Sequence, residues 1–408
     1  MRRVVITGLG CISPVGNSVE TMWKNLTAGK HGFAEITKFD ASGLKVRIAG
    51  EVKNFNPEDY IEKGEIRKTD IYAQYAIAAA TQAVEESGIV GKIDSKKLGV
   101  YIGSGIGGIS TFVNQVEVML TKGPQRISPF FIPMMIANMG SALVAMRYNA
   151  MGPNLPTVSA CASATNAIGE AFRAIKYGYA DAIIAGGADA CVNPLAIGGF
   201  INCQALSTTN DPDNSSVPFD KRRDGFVMGE GAGIVVLEEY EHAKKRNARI
   251  YCEISGYGNT NDAYHITAPH PEALGATELI RVTMDESGLK ADEKLYINPH
   301  GTSTPLNDKT ETLAIKNVFG DLAYKLPISS SKSMIGHMLG AAGGCEAIAA
   351  VKTIETGIVH PTAGYKELDP DCDLDYVPNT ARKTDIDKAM SISLGFGGHN
   401  AAILFNKL

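Results

Sequence analysis

Strand-like and helical stretches alternate along this chain, and that alternation narrows the fold more than any other feature. Apolar, β-branched runs recur at Val4–Gly8 (VVITG), Leu98–Gly105 (LGVYIGSG), Asp181–Asp189 (DAIIAGGAD), Gly233–Glu239 (GIVVLEE), Leu295–Gly301 (LYINPHG), Ser391–Gly398 (SISLGFGG) and Ala401–Phe405 (AAILF). Between them lie helical patterns such as Ile71–Gly88 and Lys309–Gly320. The pattern predicts a layered α/β fold. Several strands end in glycine-rich turns, where sites of such folds gather. The 408 residues exceed one ordinary domain. The charged stretch Glu238–Ile250 is the expected seam between two halves, residues 1–250 and 251–408, packed together because no low-complexity linker separates them. A weak internal repeat points the same way. Shifting the segment after Cys161 by 176 positions matches Glu170 with Glu346, Ala171 with Ala347, Ala174 with Ala350 and Lys176 with Lys352, and sets Cys161 on His337.

Composition excludes several classes. The chain is 44% hydrophobic and 20% charged, as in a soluble enzyme, and its net charge of −5 argues against engaging a polyanion over the whole surface. Seven scattered cysteines without a CxxC pair imply a reduced, cytoplasmic chain with no zinc site. The amino-terminal run is too short for an export signal. Ile127–Met146 is uncharged but contains Pro129, Pro133, Asn138 and Gly140, and is expected to be buried protein rather than a membrane span.

Cys161, in the stretch TVSACASA, is followed by Ala164, Ile168, Phe172 and Ile175 at helical spacing. A strand is therefore expected to hand over to a helix at Cys161. The free N–H groups of that helix start would lower the thiol pKa and make a nucleophile. The other reading is a small buried hydrophobe. His300 lies at the end of a strand beside Gly301, either facing a cleft or as an idle turn residue. Asn307 or Asp308 is placed to cap the helix after it, with Glu311 set for a capping box with Asp308. His337 sits among small residues, near Lys332 and nine positions before Glu346; these permit close approach of a substrate or only tighter helix packing. Phe396 stands between Gly395 and Gly397 on an expected hairpin turn, a mobile gate or a plain tip. GSGIGG (Gly103–Gly108) fits the dinucleotide fingerprint, but no second strand with a ribose-binding acid follows it. No zinc-protease, P-loop, serine-elbow or nucleic-acid motif is present. One cysteine with two histidines is the toolkit of acyl transfer through a thioester.

TVSACASA, NPHGTSTPLND, SSSKSMIGHMLGAAGG, DGFVMGEGAG and GFGGHNAA together resemble the β-ketoacyl-acyl carrier protein synthases of the thiolase-like superfamily, and GIGG at Gly105–Gly108 resembles synthase II most. The resemblance implies a duplicated αβαβα five-layer fold, a homodimer, no cofactor and no metal. It also implies an acyl chain carried on Cys161 and elongated by decarboxylated malonyl-acyl carrier protein. The Cys161 and Phe396 N–H groups would form the oxyanion hole. His300 and His337 would stabilise the enolate, with Lys332 and Glu346 ordering the site and Asp308 supporting it. Thr302, Thr304 and Thr267 would contact the pantetheine arm, and Ile106 and Phe200 would line the acyl pocket beside the gate Phe396. Arg67, Lys68 and Arg126 would dock the carrier protein. Three positions depart from the family pattern: Pro299 before His300, Leu394 before the gate, and Gln204 where a docking arginine is common.

Overall fold

The computed structural model describes residues 1–408. Eight strands form the main sheet: β1 (Val4–Ile12), β2 (Leu98–Gly103), β3 (Ala182–Asp189), β4 (Gly231–Glu239), β5 (Cys252–Asn261), β6 (Leu295–Asn298), β7 (Lys388–Gly395) and β8 (His399–Asn406). The helices that position the site are α1 (Ile71–Ser87), α2 (Ile109–Lys122), α3 (Met139–Tyr148), α4 (Ser163–Lys176), α5 (Pro194–Asn202), α6 (Leu274–Ser287), α7 (Pro305–Phe319) and α8 (Ala342–Thr356). Strand order is β2-β3-β4-β1-β5-β8-β7-β6. The order reads the same from both ends. β2 runs parallel to β3, as β6 does to β7, and the two pairings that follow on each side are antiparallel. Within the sheet, only the pairing of Val4–Ile6 with Cys252–Ile254 joins the two half-sheets.

The chemistry of the strands explains this placement. β1 to β3 are buried along their whole length, so their apolar runs must be covered on both faces. α1 and α3 cover one side of the first half-sheet, and α6, with α7 packed against it, covers the far side of the second. Between the half-sheets lie α4 and α8, each touching strands of both. Both are buried nearly all round, as a middle layer requires. The layers therefore run αβαβα, the duplicated α/β architecture expected from the sequence.

Two expectations change. First, the repeat is real but its register is not 176. The helices α4 and α8 start at Ser163 and Ala342, and each is preceded by a short 3-10 turn whose first residue has positive φ, Ala160 at 50° and Leu339 at 49°. These landmarks lie 179 positions apart, so Cys161 corresponds to Gly340, and His337 stands three residues before the equivalent point. An error of three is close to one helical turn, and in alanine-rich helices chance matches partly survive it: at 179 Ala171 still meets an alanine, Ala350, while Ala174 meets Thr353. Second, Ile127–Met146 is not buried. It forms the short helix Phe131–Met135 and most of α3, and leaves Phe130, Ile132 and Met146 exposed. Its length predicted burial, whereas in one chain nothing covers this side.

Candidate active site

Cys161 sits in the 3-10 turn Ala160–Ala162 that opens α4. No regular strand precedes it. Residues 153–157 lie against β2 through Val100 N to Pro153 O (3.0 Å) and Ser104 N to Thr157 O (3.2 Å). The turn is pinned locally, because Ser163 Oγ donates to Ala160 O (2.7 Å) and accepts from Ser159 N (2.9 Å). It is also pinned from the second half: Tyr257 OH on β5 donates to Asn166 Oδ1 (2.8 Å), whose Nδ2 donates to Ser159 Oγ (2.7 Å). The left-handed backbone at Ala160 costs about 1–3 kcal/mol, which this network must offset.

The second half delivers both histidines to this turn. His337 N donates to Val227 O (2.7 Å), and its ring stands edge-on to Phe226 at 4.9 Å. Its Nε2 is 3.0 Å from Cys161 Sγ. Its Nδ1 is buried without a partner, so no second hydrogen bond fixes the tautomer. His300 follows β6 and meets the His337 ring at 5.2 Å. Glu311 on α7 accepts from His300 N (2.6 Å) and Gly301 N (2.8 Å). Lys332 Nζ lies 3.5 Å from His300 Nδ1 and is ion-paired with Glu346, both side chains fully buried. An ammonium beside Nδ1 needs a lone pair there, which places the His300 proton on Nε2.

Burial sets the electrostatics. It pushes the Cys161 thiol up to about 11; Lys332 and the N–H groups of Phe396 and Cys161 itself pull the other way, while Asp189 adds to the rise. The depressed thiol expected from the helix start is therefore not the resting state, because the desolvation of a thiolate outweighs the donors around it. Burial holds both histidines well below the usual imidazole range, helped by Lys332, and His337 also acts on His300. Glu311 is raised to about 7 by the same desolvation.

A cavity of about 390 Å³ opens onto this cluster. Its lining brings together Cys161, His300, His337, Phe396, Phe200, Thr302, Thr304, Thr267 and Leu394, with Gln204 on its wall. Phe396 occupies the tip of the β7–β8 hairpin, where Gly395 pairs with His399, and its ring is 6.3 Å from Phe200. Ile106 does not line this cavity and is 40% exposed. Arg67, Lys68 and Arg126 are exposed and also away from it. Lys68 lies over the Phe130 ring at 5.7 Å, which places residues 67 and 68 beside the Arg126–Phe130 stretch. Asp308 caps nothing. Pro305 opens α7 with Thr304 before it, and the Asp308 carboxylate accepts from Phe219 N (2.8 Å). The capping box fails because Asp308 lies inside the first turn and Glu311 is taken by the His300 backbone. The glycines after His337 serve packing: a Cβ on Gly343 would meet Thr165 Oγ1 at 2.1 Å.

Sequence reasoning missed three contributors. Glu311 was visible only as a helix-capping residue. Asp262 joins the loop of Thr267 to the hairpin, accepting from Asn400 Nδ2 (2.7 Å) and donating its N–H to Gly398 O (3.0 Å). Asp189 is fully buried behind Cys161; its signal was an acid ending an apolar strand among small residues. Sulfur and ring nitrogens of Cys161, His300 and His337 lie within 4.8 Å of one another, a donor set that would suit zinc. The Lys332 ammonium against His300 opposes a dication there.

Residues 1–243 match the model for the beta-ketoacyl synthase N-terminal domain, and residues 251–366 that for the beta-ketoacyl synthase C-terminal domain. The chain belongs to the β-ketoacyl synthase family. Its members are acyltransferases, and this chain is one. It is 50% identical to the 3-oxoacyl-[acyl-carrier-protein] synthase 2 of Staphylococcus aureus (strain COL), over 100% of this chain and 98% of that protein. Among solved structures it resembles the ishigamide ketosynthase/chain length factor (37% identity, TM-score 0.93, covering 100% of this chain and 99% of that one). It also resembles a type II polyketide ketosynthase bound to a hexaketide, in complex with its acyl-carrier protein (35%, TM-score 0.91, with the same coverage).

Proposed function

We propose that this chain is a 3-oxoacyl-[acyl-carrier-protein] synthase of the second type, elongating fatty acyl chains by decarboxylating condensation. The observation that carries this is Cys161 Sγ 3.0 Å from His337 Nε2, with His300 beside them at the base of a pocket. In the first stage Sγ, held against His337 Nε2–H, attacks an acyl thioester, and the thiol proton leaves on the departing pantetheine sulfur. The Cys161 and Phe396 N–H groups hold the oxyanion. In the second stage the malonyl C–C bond breaks and releases CO2. The electron pair forms an enolate whose oxygen accepts from His300 Nε2–H, and from His337, whose free Nδ1 allows the same tautomer. The enolate carbon attacks the acyl carbonyl, and collapse expels the Cys161 sulfur as a thiolate, which takes up a proton from solvent to return to the resting thiol. Lys332, with Glu346, keeps the His300 proton on Nε2.

Thr302, Thr304 and Thr267 on the cavity wall suit a pantetheine arm, whose amides need hydrogen-bonding partners. Ile106 and Phe200 are assigned to the acyl pocket. Arg67, Lys68 and Arg126 form an exposed basic surface for an acidic carrier protein. The reading places the protein in the cytoplasm; no helix is long and apolar enough to cross a membrane. A second copy of the chain is the proposed cover for the apolar side at residues 106–158. There Leu120, Ile132, Met146, Leu155 and Val158 are exposed, and residues 153–157 pair with β2. Incubation with acyl- and malonyl-acyl carrier protein should give CO2 and a β-ketoacyl product longer by two carbons. Absence of that product across short, medium and long acyl chains would overturn the reading.

A further inference from the structure

β3 ends on Asp189, a fully buried carboxylate with no cation paired to it. Four donors hold it. One oxygen accepts from Ser104 Oγ (2.7 Å) and Ile106 N (3.4 Å), the other from Gly105 N (2.8 Å) and Gly340 N (2.7 Å). Ser104 Oγ accepts in turn from Gly107 N (2.9 Å), so the whole loop leaving β2 is tied to this one group. Gly340 belongs to the turn after His337. Two segments far apart in sequence therefore close on a single carboxylate. They close tightly, since a Cβ on Gly340 would meet Gly105 N at 2.3 Å. The loop also backs onto the nucleophile, with Ala160 O only 3.6 Å from a Cβ built on Gly105. Burial lifts the Asp189 carboxyl to about 6 against its four donors, which leaves it ionised at neutral pH, and its charge raises the Cys161 thiol.

We propose that Asp189 is a positioning residue that clamps the His337 turn to the Ser104–Gly107 loop, and so fixes where His337 and Ile106 stand relative to Cys161. This rests on the condensing reading above. A buried carboxylate is a costly way to join two loops, and its four-donor geometry makes the joint stiff. Releasing it moves two things at once: the reach of His337 to the substrate oxygen, and Ile106, which stands outside the cavity and on this reading would meet only an acyl chain long enough to extend past it. A carboxylate that only supported the core would leave both unchanged in any variant that folds.

Two variants of the full chain test the clamp from opposite sides. Asp189→Asn sets an amide N–H₂ against N–H donors and removes the charge; Gly340→Ala wedges the joint and keeps the charge. Iodoacetamide alkylation of Cys161 should be faster than wild type in Asp189→Asn, where the opposing charge is gone, and not in Gly340→Ala. In both, CO2 release from malonyl-acyl carrier protein should fall roughly 100-fold, and acylation by palmitoyl relative to butyryl thioester should fall as well. CO2 release and chain-length ratio within about twofold of wild type in both variants would overturn the proposal. So would failure of both variants to fold, which would reduce Asp189 to core support. A wild type that no acyl thioester modifies would instead defeat the condensing reading, and the alkylation difference would still report the charge of Asp189 at the thiol.

Discussion

The turn that carries Cys161 and the turn that follows His337 share one backbone plan and hold different cargo. Each begins on a left-handed residue, Ala160 or Leu339, and each opens a middle-layer helix. In the first half the second residue of the turn is Cys161, and its N–H faces its own sulfur. In the second half that place is Gly340, whose N–H is spent on Asp189 and which has no room for a side chain. The difference teaches how a duplicated fold acquires a single reaction centre. On the proposed mechanism one helix start keeps its donors for chemistry. The other spends the Gly340 N–H on Asp189, while a residue three positions earlier, His337, reaches across to Cys161 Sγ.

Splitting the two histidines breaks the comparison most severely. Of the two histidines only His337 lies within hydrogen-bond distance of Sγ, so His337→Ala should slow Cys161 acylation by roughly 100-fold and malonyl decarboxylation by 100- to 1,000-fold. His300→Ala should cost only the second step, about 100- to 1,000-fold. Equal acylation rates in the two variants, measured by stopped-flow loading, would show that contact with sulfur carries no chemistry.

The resting state of the thiol gives a smaller, graded effect. With burial holding Cys161 at about 11, its alkylation by iodoacetamide should rise about tenfold per pH unit from pH ~6 to ~9. A plateau below pH ~8 would restore the depressed thiolate that a helix start by itself predicts.

The smallest effect concerns Glu311, which holds the His300 backbone. Its folded value of about 7 lies above the ordinary glutamate value of ~4.3, so the stability it lends is full below ~4.3, falls as pH rises from there and is gone once pH has passed about 7. The buried neutral histidines act in the opposite sense, but only below ~6.5, where the unfolded chain takes up protons. Between pH ~6.5 and ~7.5 the last part of that loss should therefore lower the melting temperature slightly in the wild type and less in Glu311→Gln, with no further slope from Glu311 above pH ~8. Parallel curves would remove Glu311 from this account.

The alternation of strands and helices, the Cys161 turn, the two histidine turns and the hairpin at Phe396 were all legible from local residue patterns. These are features of spacing and turn chemistry within a few residues. What was not legible depends on which distant group arrives. Nothing near Cys161 in sequence announces the desolvation that raises its thiol, or the Asp189 charge behind it. The register error of three arose because alanines match alanines at almost any helical offset. Glu311 was read as a cap because a capping box is a local motif, whereas its actual partners, the His300 and Gly301 N–H groups, come from the end of β6. Ile127–Met146 was expected inside because apolar length suggests burial, but a single chain does not cover it.

The central claim is that Cys161 alone carries the acyl chain. Intact-mass measurement of the wild type and Cys161→Ala after incubation with acyl-acyl carrier protein tests it directly. The account predicts one acyl adduct per chain on the wild type, discharged on adding malonyl-acyl carrier protein, and none on a variant that keeps the wild-type melting profile. An adduct that persists on Cys161→Ala would contradict it.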